Sequence, residues 1–249
     1  MDTVSVAQAI HVLLVSTDQI LTTIYPTAHL APADNVDCSK IDEVVDDQGS
    51  AQAWSYMNDK YPVPTTDEEL TKACDRSKEA IKVLRKYNKE CYSALTQQVL
   101  SAVLRTRSQR IDAVCSPGTP EHKEELDAIK CTADYKDALA EIEKNSINAF
   151  QAINDVNIPD EKLRIRRTCC VVHDTGKKYI NASKEKCSKY TKAYSDYYES
   201  YTSEAMGLVC PEESKLECDK LEVLKTEGTT PKTKFYLVPL MKLVQTIDH

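Results

Sequence analysis

The residues most able to do chemistry in this sequence are ten cysteines and five histidines. A zinc ion needs closely spaced Cys and His ligands, and the nearest arrangement is Cys169-Cys170-x-x-His173. Adjacent cysteines point to different sides of a helix, so they are poor ligands for one metal ion. The sequence also lacks H-E-x-x-H, G-x-S-x-G, G-x-G-x-x-G and P-loop motifs. It therefore predicts no catalytic site, no metal site and no cofactor.

The cysteines are instead predicted to form disulfides. Their number is even, they are scattered, and none belongs to a C-x-x-C pair, which is typical of a disulfide framework. Five bridges imply an oxidising compartment, so we expect a secreted, extracellular protein. Residues 1–15 lack the charged start and long apolar run of a signal peptide, which favours a mature form. The ten residues are Cys38, Cys74, Cys91, Cys115, Cys131, Cys169, Cys170, Cys187, Cys210 and Cys218.

The composition favours helices over strands. Of 249 residues only 5 are Gly and 10 are Pro, fewer turn residues than a β-sandwich or barrel requires. Charged residues make up 29% and are rich in Glu and Lys, which suits helices with solvated outer faces. The net charge of −7 argues against a general nucleic-acid binder. No stretch approaches the roughly 20 apolar residues that a membrane span needs.

Apolar periodicity predicts an all-α fold in which three successive long helices form an antiparallel bundle. The first begins at a capping box, in which Thr65 or Thr66 is followed three residues later by Glu, and it runs to about Val114. The turn Ser116-Pro117-Gly118 ends it.

The second long helix has Thr119 as its N-cap residue and is broken by Asn157-Ile158-Pro159. The third follows that break and ends near Gly207. A straight helix of this length is long for a compact domain, so we expect a bend, most naturally at Gly176.

Shorter helices are predicted on both sides of these three. We expect a single helical domain over residues 1–249, with an N-terminal helix within residues 1–30 packed on the rest. The other short elements are 39–45, a piece near 51–60 that contains Trp54 and Tyr56, 211–228, and an apolar tail, 235–247, interrupted by Pro239.

The third long helix carries a face of tyrosines, which we interpret as the central helix of the bundle. Its residues recur in steps of three and four, which is a helical period. Such a stripe is more often core, but it could line a ligand groove, so its five tyrosines are our candidate ligand-lining residues. Tyr198 lies off the stripe and is expected to be exposed. The stripe consists of Tyr179, Ser183, Cys187, Tyr190, Tyr194, Tyr197 and Tyr201.

Distances from the predicted turns suggest some disulfide partners, because residues equally far from the turn of an antiparallel hairpin face each other. On this basis Cys131 could pair with Cys187. Cys91 falls level with Cys169 or Cys170, and Cys115 lies at the same end as Cys210. Cys38, Cys74, Cys218 and one of the adjacent pair remain unassigned. The adjacent pair is expected to bind two different neighbours of one helix.

Three arginines form a basic cluster at the start of the third long helix: Arg164, Arg166 and Arg167. They could bind an anion or a lipid headgroup. The interpretation that we favour is a set of salt bridges to Asp or Glu on a neighbouring helix. The sequon Asn181-Ala182-Ser183 predicts a glycosylation site at Asn181.

The cysteine order resembles that of a family of arthropod secreted proteins typified by the insect twenty-seven-kilodalton hemolymph glycoprotein. The residues that carry the resemblance are Cys74, Tyr87-x-x-x-Cys91-Tyr92, Arg166-Arg167-Thr168-Cys169-Cys170, Cys187, Cys210 and Cys218, within residues 35–225. The resemblance implies an extracellular, disulfide-bonded, glycosylated hemolymph protein. The family's domain has no assigned function, so it implies no active-site residues.

Two functions are therefore compared, neither of them enzymatic. The first is a secreted protein that binds an apolar small molecule or a lipid between its helices. The alternative is an extracellular interaction or defence protein that acts through its surface, with an unknown protein partner. An enzyme of unrecognised type is the least favoured hypothesis.

Overall fold

A computed structural model describes residues 36–53, 60–156, 158–211, 216–222, 224 and 230–247. All of these belong to one compact unit, Val36–His249. The predicted N-terminal helix, Trp54 and Tyr56 lie outside the described residues. The packing of that helix on the rest of the chain stays a prediction.

The described residues form helices and no strands, which confirms the predicted all-α, disulfide-bonded class. Short 3-10 turns occur at Cys38–Lys40, Ala133–Tyr135, Ser188–Tyr190, Met206–Leu208 and Cys218–Lys220. The α-helices are α1 (Ile41–Ala53), α2 (Asp67–Cys91), α3 (Ala94–Val114), α4 (Pro120–Thr132), α5 (Lys136–Val156), α6 (Glu161–Lys186), α7 (Thr191–Glu204) and α8 (Leu237–Gln245).

The first predicted long helix is two antiparallel helices, α2 and α3. The capping box at its start is confirmed, with Thr66 and Glu69 satisfying each other's backbone N–H groups. The chain becomes extended at Tyr92, and α3 starts two residues later. Asn88 Nδ2 donates to the Gln97 carbonyl at 3.1 Å and to Ser101 Oγ at 2.9 Å across the corner. These bonds hold the two helices side by side, so the predicted continuous helix was wrong.

The other two predicted long helices are also divided. The second breaks at the 3-10 turn Ala133–Tyr135, between α4 and α5. The third breaks at Cys187, between α6 and α7, and not at Gly176. Cys187 is bonded to Cys131, and this bridge anchors the corner against α4. Gly176 lies buried inside α6, where the ring of Tyr198 from the returning helix packs against it.

The C-terminal helix α8 is the centre of the main core, a position that we had predicted for the tyrosine-bearing helix. Pro239 lies in its first turn, where no intrahelical N–H bond is needed, so it does not interrupt the helix. Asn154 Nδ2 of α5 donates to the Pro239 carbonyl at 3.0 Å. The buried residues of α8 are Leu237, Val238, Pro239, Leu240, Met241, Leu243 and Val244.

All ten cysteines form disulfides, but only one predicted pairing is confirmed. Cys131–Cys187 closes with a Cα–Cα distance of 6.0 Å. The pairings of Cys91 with Cys169 or Cys170, and of Cys115 with Cys210, were wrong because they assumed three unbroken helices. The other bridges are Cys38–Cys91, Cys74–Cys115, Cys169–Cys210 and Cys170–Cys218. The adjacent cysteines thus bind separate partners, but both partners belong to one segment after α7.

Two arginines of the cluster also bind that segment, whereas Arg164 donates to the Ile158 and Thr246 carbonyls. Arg166 forms one ion pair, with Glu217 at 3.5 Å, but Glu217 belongs to this segment and not to a neighbouring α-helix, where the prediction had placed the acids. Arg166 donates to the carbonyls of Leu216 and Glu217, and Arg167 donates to the Glu222 carbonyl at 2.5 Å. The guanidinium groups therefore take up backbone carbonyls that no helix satisfies. The predicted helix 211–228 is not formed in its described part, where only Cys218–Lys220 makes a 3-10 turn.

Candidate functional site

A cavity of about 280 Å³ lies among α3, α4, α5, α6, α7 and the three residues that precede α8. Most of its wall is apolar, which is typical of a small-molecule site. The apolar side chains in the wall are Val63, Val103, Ile129, Ile147, Phe150, Val172, Ile180 and Phe235.

Four of the five predicted ligand-lining tyrosines lie in this wall: Tyr179, Tyr194, Tyr197 and Tyr201. The corner at Cys187 turns α7 back along α6, so the tyrosines of both helices face the same space. Tyr190 is not in the wall. It precedes α7 in a 3-10 turn and is buried in a separate cluster with Tyr135, Leu139 and Cys187.

Two further tyrosines in the wall were missed from the sequence. Tyr198 was predicted to be exposed, but it is partly buried, and its hydroxyl donates to the Val172 carbonyl at 2.7 Å. A Cβ atom on Gly176 would lie only 1.8 Å from the Tyr198 ring, so the glycine makes room for this side chain. Tyr236 comes from the apolar tail, whose approach to the tyrosine stripe depends on the whole fold.

Charged side chains form another part of the wall. Arg107 is only 6% exposed. Arg110 forms an ion pair with buried Glu125, and its guanidinium carbon lies 5.3 Å from the centre of the Tyr197 ring. Glu143 and Lys234 complete the set, so the wall carries three cations and two carboxylates. Arg107 lies four residues after Val103 and four before Ile111, both of which are buried in the same helix. This helical spacing is the feature of the sequence that could have predicted a buried position for Arg107.

Two tyrosines of the cavity wall have their rings in contact. The Tyr201 and Tyr236 rings lie edge to face with centroids 6.4 Å apart. Burial raises the pKa of Tyr201 well above its usual value, and burial also raises the pKa of Tyr236. Both hydroxyls therefore stay protonated at physiological pH and can donate hydrogen bonds.

Helix α1 holds the segment that brings Phe235 and Tyr236 to the cavity. Asp46 Oδ1 accepts hydrogen bonds from the backbone N–H groups of Lys234 and Phe235, both at 2.7 Å. Partial burial raises the pKa of Asp46, although these two hydrogen bonds oppose the shift. Gly49 of the same helix lies against the Phe235 ring, and an added Cβ would approach it to 2.1 Å.

The predicted glycosylation site lies within the described residues. Asn181 is exposed on α6, whereas Ser183 of the same sequon is buried. No group of three or more His, Cys, Asp or Glu residues in the described ranges could hold a metal ion. None of the described helices combines the length and the apolar character that crossing a bilayer requires.

Comparison with known proteins adds no family or relative. No family model matches the chain, and no curated protein or solved structure matches it either. The resemblance to the arthropod hemolymph family, with the localisation that it implies, therefore stays a prediction.

Proposed function

We propose that this is a secreted, non-enzymatic protein that binds a small, largely apolar molecule in the tyrosine-lined cavity. The observation that carries the proposal is the cavity itself, a mostly apolar space between helices with several polar groups in its wall. Five disulfides join the described helices and suit an extracellular carrier, since they keep such a frame in one shape without a ligand.

The size of the cavity narrows the ligand class. An apolar protein cavity of about 150 Å³ is known to hold benzene, which has six non-hydrogen atoms. At about 280 Å³ this cavity suits a molecule of roughly ten to twelve such atoms. A ten-carbon chain or a fused two-ring compound fits that volume, whereas a two-chain lipid does not. The proposal is therefore for a small molecule rather than a membrane lipid.

A cavity-filling substitution tests the proposal. Val103→Phe adds a ring to a buried wall residue, so it should abolish binding of naphthol and decanol measured by isothermal titration calorimetry. Val83→Phe is the matched control, because Val83 is an exposed valine on α2 and is not in the cavity wall. Absence of binding to the unchanged protein, or equal binding by the Val103→Phe variant, would contradict the proposal.

A second candidate function, interaction with a protein through the surface, is favoured by a groove between α2 and α3. It is open, has a volume of about 500 Å³, and is lined by four cations, Arg76, Lys78, Lys82 and Arg85, but only two acids. Such a surface on a chain of net charge −7 would suit an acidic partner. Reversing Lys78 and Arg85 to Glu should then abolish retention on an immobilised polyglutamate column at low salt. Retention that is equal before and after reversal would reject this function.

A further inference from the structure

The aromatic residues of the chain are concentrated in the wall of the cavity. The whole sequence has 13 Tyr, 2 Phe and 1 Trp, and six of the Tyr and both Phe border this one space. Aromatic residues make up 6% of the chain but eight of the 22 described wall residues. A molecule in the cavity would therefore touch aromatic rings on several sides.

The aliphatic part of the wall is stiff. Its described aliphatic side chains are all Val or Ile, whereas the main core, which shares Val103 and Phe150 with the wall, also contains Leu240 and Met241. β-Branched side chains are restricted at χ1, and a tyrosine side chain has only two rotatable bonds. Met, the most adaptable apolar side chain, is absent from the described wall. Such a wall favours a rigid ligand, which loses little conformational entropy on binding.

Two contacts within the wall show how its side chains meet an aromatic ring. The Tyr201 and Tyr236 rings pack edge to face with centroids 6.4 Å apart. The guanidinium carbon of Arg110 lies 5.3 Å from the centre of the Tyr197 ring. Tyrosine and arginine side chains can contact a planar ligand in the same two ways, whereas a saturated ring has no π-system for either contact.

The ionic groups of the wall favour a neutral ligand. Arg110 is paired with Glu125, and Lys234 is exposed. The other described ionic groups of the wall, Arg107 and Glu143, have opposite charges. Serine, threonine and tyrosine hydroxyls lie in the same wall and can both donate and accept hydrogen bonds. A hydroxyl group on the ligand would therefore find partners of both kinds.

We propose that the ligand is a neutral, planar, fused two-ring aromatic compound that carries a hydroxyl group. Its rings pack against the tyrosines, and its hydroxyl bonds to polar groups of the wall. A molecule of this size fits the volume of about 280 Å³. This inference rests on the proposed function, since it names the chemical class that the same cavity takes.

A pair of matched probes tests the inference by isothermal titration calorimetry at neutral pH. The probes are 2-naphthol and trans-decahydro-2-naphthol, which have the same carbon skeleton and hydroxyl group but differ in aromaticity. Burial of apolar surface alone favours the saturated compound, which is the larger and more apolar of the two. We expect naphthol to bind at least about tenfold more tightly, because each aromatic pair contributes about two- to tenfold in affinity beyond its burial.

Variants then identify the rings responsible. Tyr197→Leu and Tyr194→Leu each remove one partly buried ring of the wall and keep an apolar side chain. Each should reduce the advantage of naphthol over the saturated compound by about threefold or more. Tyr87→Leu is the control, because Tyr87 is a partly buried tyrosine of α2 that is not in the cavity wall. Circular dichroism of each variant reports whether it has folded.

The outcomes separate this inference from the proposed function. Equal or tighter binding of the saturated compound to the unchanged protein would overturn the aromatic inference and leave the small-molecule function standing. An undiminished naphthol advantage in folded Tyr194→Leu and Tyr197→Leu variants would also overturn it. If naphthol, its saturated counterpart and decanol all fail to bind the unchanged protein, the proposed function itself fails.

Discussion

The size of a single side chain determines how closely two helices of the cavity wall pack. At Gly176 the absence of a side chain lets the Tyr198 ring lie directly on the backbone of α6. The Tyr198 hydroxyl is fixed by its bond to the Val172 carbonyl, so the ring cannot easily swing away. A residue type that favours a bend in an isolated helix is used here for close packing.

Replacing this glycine should therefore destabilise the protein. We expect Gly176→Ala to lower the free energy of unfolding by about 1–3 kcal/mol through overpacking, although alanine favours helices. Gly207→Ala is the control, since the nearest atom outside its chain neighbours would be the Thr202 carbonyl oxygen at 3.9 Å, so the added Cβ should change the stability little. Urea unfolding measures both, and equal effects of the two substitutions would contradict the packing argument.

The Asp46 carboxylate gives the molecule a pH dependence with a defined sign. Its pKa is raised in the folded state, so the folded protein binds the proton more tightly than the unfolded chain. The stability that this group contributes is therefore full below the unfolded pKa, and it falls as the pH rises through the higher folded value. At neutral pH the ionised carboxylate carries a burial cost alongside its two hydrogen bonds.

Two substitutions at this position should separate the charge from the hydrogen bonds. Asp46→Asn keeps an acceptor oxygen and removes the buried charge, so the stability at about pH 7 should be equal or higher, with a smaller difference at about pH 4. Asp46→Ala leaves two backbone donors without their acceptor and should cost about 1–3 kcal/mol. Urea unfolding of both variants checks this, and a loss of stability in Asp46→Asn as large as in Asp46→Ala would refute it.

At the scale of elements, each predicted long helix is replaced by two shorter ones that pack on each other or turn away. Helices α2 and α3 show the reason most clearly, because their apolar face continues through the corner at Tyr92 without a change of period. The side-chain bonds of Asn88 at the corner and the Cys74–Cys115 bridge at the other end hold the two helices antiparallel. One continuous helix could form neither the Asn88 hydrogen bonds nor the Cys74–Cys115 bridge.

Removing that bridge should weaken the α2–α3 hairpin strongly. The bridge joins residues 41 positions apart, so the chain-entropy model gives about 4 kcal/mol for the Cys74→Ala/Cys115→Ala variant. Urea unfolding under non-reducing conditions measures the loss. Peptide mapping of the same variant should find the other four bridges unchanged, and a bond from Cys74 to any residue but Cys115 in the unchanged protein would contradict this hairpin.

At the scale of the whole molecule, the five bridges join cysteines in α2, α4 and α6 or in the segments beside α1, α3 and α7, whereas α5 and α8 carry none of them. Two join α1, α2 and the end of α3, one joins α4 to the corner between α6 and α7, and two fix the segment after α7 onto α6. The central helix α8 needs no bridge, because nearly all of its residues are buried. Apolar burial thus holds α8 in the main core, and four of the five bridges lie in smaller apolar clusters that contain Cys74, Cys187 and the Cys169-Cys170 pair.

The sequon on α6 gives a prediction about the order of events in a secretory pathway. Asn181 is exposed, but Ser183, which the sequon requires, is 2% exposed in the folded protein. We therefore expect glycosylation only while the chain is still unfolded. Expression through a secretory pathway should give a glycosidase-sensitive mass that Asn181→Gln removes. Efficient glycosylation of the purified, folded, unmodified protein in vitro would contradict the expectation.

The sequence by itself determined the helical class, the use of all ten cysteines in bridges, the capping box at Thr66 and most of the tyrosine stripe. These follow from local rules, because helical periods and caps involve residues only three or four positions apart. The even number of cysteines is likewise a property of the composition alone.

The tertiary structure decided where the long helices turn, which cysteines pair, and which side chains meet at the cavity. Tyr236 and Tyr201 are 35 positions apart, and their approach needs the corner at Cys187, the fixed segment after α7 and the burial of α8. The apolar period of the sequence is the same whether one helix continues or the chain turns and forms two antiparallel helices. The choice between the two depends on long-range contacts, whose gain must exceed the chain entropy lost in closing the loop.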